Sequence, residues 1–348
     1  MTLIETLEKF SNACGVAGRE DEVRILMKKL LANYVDEVRE DRLGNVIGVK
    51  RGGGKNPLKV MLAAHMDEIG LLVKTISKDG FIQFTKMGGI DDRILLAQKV
   101  LIHTDKGSIP GVIGCKPPHI QKEEERKKVI SYDELFIDIG AESLEEAKQM
   151  GVKIGDPVSF DVKFVKAGKD AVMGKAFDDR VGCAVLVEAV KQLEEVDCTV
   201  YVVGTVQEEL GLRGAATAAF GIYPDVGIAL DVTIAGDAPG VKEFEAPVKL
   251  RKGPSITVAD YGLVTHPKVL RLLVDAAEGD GIPYQLESGL PGATDAARIS
   301  LTREGVPSGV ISIPTRYIHS PVSLISLKDA ENAVKLVVSA VRKIPEYF

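Results

Sequence analysis

The strongest constraint on this chain is the run Thr199-Val200-Tyr201-Val202-Val203-Gly204-Thr205-Val206, followed at once by Gln207-Glu208-Glu209-Leu210-Gly211. A β-branched run with almost no polar alternation suits a strand covered on both faces, as in an α/β domain. Its end delivers two adjacent glutamates to the C-terminal edge of a sheet, where open α/β sheets bind ligands. Neighbouring carboxylates beside a buried strand are costly to keep ionised unless a cation sits between them. Taken alone, the segment reads equally well as a surface turn carrying two solvated glutamates.

Other strand-like runs end in the same manner. Lys59-Val60-Met61-Leu62-Ala63-Ala64 runs into His65-Met66-Asp67-Glu68. Residues two apart on an extended segment point the same way, so Asp67 can hold one ring nitrogen of His65 while the other binds metal. Gly174-Lys175-Ala176-Phe177-Asp178-Asp179-Arg180 leads into the helix-forming VGCAVLVEAVKQL, placing Asp178 and Asp179 at a loop-to-helix junction. Val226-Gly227-Ile228-Ala229-Leu230 ends at Asp231, and Gly309-Val310-Ile311-Ser312-Ile313-Pro314 leads to His319. Each residue alone has a plain alternative as a cap or a buried polar group. Five such side chains at five strand ends or junctions form a set that those alternatives do not explain.

The pattern between these strands divides the chain. Residues 3–37 read as two helices, followed by a hairpin through Leu43-Gly44-Asn45. From about residue 69 to 164 the periodicity changes to short alternating strands with tight turns such as SKDGF and HTDKGSI. One helix in this stretch, SLEEAKQMG, carries the Ser143/Glu146 spacing of a capping box and ends at Gly151. KPPHIQKEEERKK, residues 116–128, is proline-broken and highly charged and reads as a long mobile loop, with His119 not a ligand. After residue 165 the helix-and-strand alternation resumes and ends in a helix, SLKDAENAVKLVVSAVRKI. The expected architecture is an α/β domain with a mixed sheet, residues 1–68 and 165–348, interrupted by a β-rich insertion at 69–164. The insertion carries none of the five ligand positions and is expected to serve assembly, not chemistry.

Composition narrows the functional class. The 348 residues are 45% hydrophobic and 27% charged, the proportions of a globular protein. A net charge of −6 with no long basic run argues against a nucleic-acid partner. No 18-residue apolar stretch marks a membrane span, and MTLIETLEKF reads as an amphipathic helix instead of a signal peptide. Cysteines at 14, 115, 183 and 198 form no CxxC pair, which disfavours a thiolate zinc site or a disulfide framework and suits the cytoplasm. The absence of tryptophan and the wealth of Lys, Arg and Glu lean towards a thermophile. There is no P-loop, no strand-borne GxGxxG and no GxSxG, which disfavours nucleotide and serine-hydrolase chemistry.

Two imidazoles and three carboxylates suit zinc, cobalt or manganese. His65, Asp178, Glu209, Asp231 and His319 are too many for one catalytic zinc, which keeps about three protein ligands and an open position. They suit two metals roughly 3.5–4 Å apart sharing one bridging carboxylate. Glu208, beside a ligand but outside the set, then stands where a general base would act on water. The same pattern is open to a dimetal aminopeptidase, to a carboxypeptidase or deacylase of related architecture, or to a non-catalytic peptide-binding shell.

AHMDEIG (64–70), AFDDR (176–180), QEELGLRGA (207–215), ALDVT (229–233), ATDA (293–296) and RYIHS (316–320) resemble the signatures of the tetrahedral (TET) aminopeptidases, dimetal enzymes also labelled glutamyl or deblocking aminopeptidases or endoglucanases. The resemblance spans the chain from first helix to last. It implies a zinc-peptidase α/β/α sandwich interrupted by a PDZ-like β dimerisation domain. It further implies hydrolysis of the N-terminal residue of short peptides, and a cytoplasmic homododecamer built from dimers. Carried over by residue, one metal takes His65 and Asp231 and the other Glu209 and His319. Asp178 bridges them, Glu208 is the base and Asp67 supports His65. The resemblance also implies a cis peptide bond at Asp178-Asp179.

Overall fold

The fold is described from a computed structural model covering residues 1–54 and 56–348, without the side chains of residues 118, 125 and 290. Two helices open the chain, α1 (Leu3–Asn12) and α2 (Asp21–Leu31). Thr2 caps α1 by accepting from Glu5 N while the Glu5 carboxylate accepts from Thr2 N, a closed capping box. Strands β1 (Glu37–Glu40) and β2 (Val46–Lys50) form the expected antiparallel pair, and β3 (Lys59–His65) comes next. The chain then leaves this domain for β4 (Gly70–Ile76), β5 (Ile82–Met87), β6 (Lys99–Thr104), β7 (Gly107–Gly114), β8 (Phe136–Asp138) and β9 (Pro157–Phe160). It returns through β10 (Val165–Ala167) and β11 (Ala171–Gly174).

The remaining strands are β12 (Thr199–Thr205), β13 (Val226–Ile234), β14 (Ser255–Asp260), β15 (Gln285–Leu290), β16 (Ser308–Arg316) and β17 (Ser323–Ser326). The later helices are α3 (Glu123–Arg126), α4 (Leu144–Met150), α5 (Phe177–Gln192), α6 (Arg213–Ile222), α7 (Pro267–Gly279), α8 (Asp295–Ser300) and α9 (Leu327–Tyr347). None of the described helices is long and apolar enough to cross a membrane.

The main sheet is mixed, ordered β1-β2-β12-β3-β13-β16-β17-β11-β10, with β14 and β15 attached at β16. Its centre, β12-β3-β13-β16, is parallel. Both faces are covered. On β3, Val60, Leu62 and Ala64 join the core beneath α1, α5, α7 and α9, whereas Met61 and Ala63 pack with Ala215, Ala219 and Ile299 of α6 and α8. This explains the unbroken apolar runs: alternate side chains meet two different helical layers.

The six strands β4 to β9 close into an antiparallel barrel around its own core, including Leu71, Phe84, Ile102, Ile137 and Phe160. Within it, α4 starts at Ser143, which accepts from Glu146 N, and stops at Gly151 with φ +112°. The Glu146 carboxylate accepts from Glu142 N, so the box is shifted by one residue from the expected partner. The segment 116–128 is not wholly irregular. It carries a single 3-10 turn, Pro118–Ile120, and the short α3.

Sheet register positions the chemistry. Thr205 on β12 pairs with His65 on β3, so the two strands end side by side. Ala229 on β13 pairs with Ala63, and the same register carried two residues on sets Asp231 beside His65.

Candidate active site

At this C-terminal edge the sheet brings together all six residues that the sequence singles out as metal or base groups. His65 Nε2 lies 3.0 Å from Asp178 Oδ1 and 3.9 Å from Glu208 Oε2. His319 Nε2 lies 3.4 Å from the other Asp178 oxygen and 3.6 Å from Glu209 Oε1. Ligand atoms of His65, Glu208 and Asp231 lie within 4.8 Å of one another, as do those of Asp178, Glu209 and His319. Asp178 thus turns one oxygen to each histidine. Glu208 falls close enough to His65 and Asp231 to count geometrically with that half of the centre.

The histidine tautomers are set from behind. His319 Nδ1 lies 2.8 Å from the Gly89 carbonyl oxygen and His65 Nδ1 3.2 Å from that of Asp67. Donation of Nδ1–H to each carbonyl orients both rings with Nε2 towards the carboxylates, where each Nε2, once deprotonated, could bind a metal. Gly89 lies just after β5 of the inserted barrel, so the insertion, which carries none of the five candidate ligands, still supplies a backbone carbonyl to the site. Its neighbour Gly88 has φ +81°, and a Cβ there would stand 2.8 Å from Glu209 Oε2. A larger residue would be strained in its backbone and would press on the ligand.

Asp67 has a second role beyond the expected one. Its carboxylate is 3.6 Å from His65 Nδ1, but it accepts shorter bonds from Glu208 N (2.9 Å) and Glu209 N (3.0 Å). It therefore clamps the backbone of both glutamates. Glu20, buried between α1 and α2, accepts from Gln207 N at 3.1 Å and anchors the same turn from the other side. Asp179 is fully buried; it accepts from His65 N (3.2 Å) and Gly182 N (3.0 Å) and ties β3 to α5. The peptide bond between Asp178 and Asp179 is cis. Beneath them lies a buried ionic network. Glu68 accepts from Lys175 Nζ at 2.7 and 2.8 Å, from Arg180 Nη2 at 3.2 Å and from Gly15 N at 3.0 Å.

The sequence alone assigns no role to Glu20, Glu68, Asp179, Lys175, Arg180 or Gly89. Glu68, Asp179 and Arg180 lie inside the quoted motifs, so their presence is visible there, though their partners are not. His119 stands apart from the centre, on the insertion.

Electrostatics test whether the site suits cations. Burial pushes the Asp231 carboxyl well above its usual range, and the Asp178 charge adds to this. Burial does the same at Glu208, with Asp231, Asp295 and Glu209 adding and His65 opposing, and at Glu209, where Asp178 adds. Burial opposes ionisation of Asp178 too, but His65 and His319 together hold its pKa below the usual value. Among the described residues no Lys or Arg pairs with Glu208, Glu209, Asp178 or Asp231. Four carboxylates, Asp231 buried and the other three half-buried, share two imidazoles, of which His319 is exposed, so divalent cations would relieve a charge imbalance that the protein leaves uncompensated. The nitrogen and oxygen donors fit zinc, cobalt or manganese.

The fold and this centre, taken with the matches to known proteins, define a metal-dependent aminopeptidase. The chain belongs to the M42 glutamyl aminopeptidase family, whose model matches residues 44–336. It is 40% identical to a lysyl aminopeptidase of Pyrococcus furiosus over 98% of this chain and 97% of that one. Among solved structures it superposes on aminopeptidase APDkam598 from the archaeon Desulfurococcus kamchatkensis with a TM-score of 0.95 and 46% identity, covering 99% and 96% of the two chains. The TET1 peptidase of Pyrococcus horikoshii, which can assemble into a tetrahedron or a large octahedral shell, matches with a TM-score of 0.89 and 36% identity over 98% and 99%.

Proposed function

We propose that this aminopeptidase removes the N-terminal residue of short peptides in the cytoplasm with two divalent ions per chain, zinc first among the candidates. His65 and Asp231 would hold one ion, Glu209 and His319 the other, and Asp178 would serve both. The observation that carries this reading is the division of the two Asp178 oxygens between the two histidines. Two divalent ions held there would supply Lewis acidity at the scissile carbonyl and lower the pKa of water.

Glu208 takes the proton of the attacking water and delivers it to the leaving amine, as a carboxylate whose pKa is raised by burial is suited to do. Asp67 keeps Glu208 and Glu209 apart by gripping their backbone amides. One of the two ions could also hold a free α-amine, which would favour free-amine over N-blocked substrates and distinguish this reading from a carboxypeptidase or deacylase. The inserted domain, residues 69–164, is proposed to pair chains into dimers and these into a dodecamer, a reading supported by the shell-forming TET1 relative.

Chelation is expected to abolish turnover of free-amine peptides, and restoration is expected to require two ions per chain. Full activity at one ion per chain, or equal turnover of N-blocked peptides, would refute it.

A further inference from the structure

The cavity that opens on the metal centre has a volume of about 820 Å³ and extends past Asp231 to Thr233, Thr257, Asp260 and Glu287. We propose that this extension is the pocket for the substrate's N-terminal side chain and that it selects a cationic one, lysine or arginine. The proposal rests on the aminopeptidase reading above and specifies its substrate class.

Register builds the pocket. Thr233 lies two residues beyond Asp231 on β13, so both side chains leave the same face, roughly 7 Å apart along the strand. Glu287 on β15 pairs directly with Thr257 on β14. Its Oε2 accepts from Thr233 Oγ1 at 2.6 Å and its Oε1 from Thr257 Oγ1 at 2.9 Å. The two hydroxyls therefore fix the Glu287 carboxylate against Thr233, whose own position is one pleat repeat from Asp231, within the reach of an extended lysyl side chain whose backbone is held at the centre.

Charge supplies the selection. Glu287 is only 4% exposed, and among the described residues no Lys, Arg or His forms an ion pair with it. Asp260 stands on the same wall. Its Oδ1 accepts from Gly262 N (2.7 Å) and Leu263 N (2.6 Å), whereas its buried Oδ2 has no partner. A buried carboxylate without a counter-charge is costly, and burial accordingly raises the pKa of both groups. A substrate ammonium or guanidinium would provide the missing charge. Arg298 is the one Lys or Arg among the described lining residues, and it is exposed, on α8. If Arg298 dominated, the pocket would prefer a glutamyl residue instead.

The test uses the metal-loaded enzyme with L-lysine, L-leucine and L-glutamate p-nitroanilides, together with calorimetric binding of free L-lysine and L-leucine. The wild type is expected to favour the lysyl substrate. Glu287→Gln is expected to lower the lysyl-to-leucyl ratio of kcat/KM roughly 10–100-fold, the loss of one charge-assisted bond, mainly through KM. Thr257→Val, which leaves the carboxylate but removes one anchor, should move the ratio the same way by less, and serves if Glu287→Gln does not fold.

A wild type that favours leucyl or glutamyl substrates overturns the proposal. So does a Glu287→Gln variant in which lysyl and leucyl turnover fall alike. If the wild type hydrolyses none of the three, the aminopeptidase reading itself fails; the pocket then stands or falls on whether L-lysine binds more tightly than L-leucine.

Discussion

Replacing Asp67 with asparagine exchanges one oxygen for an NH₂ group and tests how the two glutamates are kept in their separate places. Both Asp67 oxygens accept backbone N–H bonds, one from Glu208 and one from Glu209. Asparagine offers one oxygen and one NH₂ group. Whichever way the amide is turned, its NH₂ faces a backbone N–H, so at least one bond is lost and replaced by a donor–donor contact. A hydrogen bond to a charged group contributes about 1.5–3 kcal/mol. Fully expressed in the transition state, that loss lowers kcat/KM by roughly 10–150-fold.

Because the turn carries both the base and a ligand, metal affinity is expected to weaken too, by roughly 10–100-fold as for other groups that orient ligands. The assay is steady-state turnover at saturating metal, with elemental analysis of the same samples. A fall in kcat at full metal content with KM little changed shows misplacement of Glu208. Turnover within about threefold of wild type at unchanged metal affinity, when a tenfold loss needs only about 1.4 kcal/mol, would refute the clamp.

The neighbouring glutamates should separate cleanly: Glu208→Gln is expected to keep both ions and lose ~10²–10⁴-fold in kcat, whereas Glu209→Ala loses metal along with activity. Elemental analysis beside kcat checks this, and the roles exchange if the metal loss falls on Glu208→Gln. Glu68→Gln strips the counter-charge from the buried Lys175 and Arg180, and breaking such a pair costs about 3–5 kcal/mol. Calorimetry at fixed protein and metal concentration should show a lowered Tm, partly recovered in Glu68→Gln/Lys175→Met; a loss below ~1 kcal/mol would show that the network contributes no more than a surface pair.

The sheet centre and the residues gathered at its edge are legible in the sequence for one physical reason. A parallel strand buried on both faces has a long apolar signature, and the residues after its last apolar position must emerge at one edge. Hence His65, Glu209, Asp231 and His319 can be placed without knowing the strand order. The turns that aim them are not legible. Ala176, Gln207, Tyr317 and His319 all hold φ between +54° and +63°, with no adjacent glycine to announce the bend. Left-handed backbone costs such residues roughly 1–2 kcal/mol each, and it is the packed surroundings, not local preference, that hold them there. The contribution of Gly89 is hidden for a different reason: a backbone carbonyl has no side-chain signature, and it acts 230 positions away from His319. Likewise Glu20 reads as an ordinary residue at a helix start until the fold brings Gln207 N to it.

The bond from His319 to the Gly89 carbonyl makes the inserted domain a mechanical part of the centre. Gly89 moves with the rim of the barrel; His319 moves with the loop after β16. A displacement of that rim would be expected to turn the imidazole against Glu209 and Asp178. Whatever leans on the barrel from outside, whether a second subunit or a crowded neighbour, is therefore transmitted to a ligand. Substitutions far out on the insertion can tune the reactivity of the site without touching it. An insertion swapped in from a distant relative would bring its own rim height, and the histidine would have to be refitted to it.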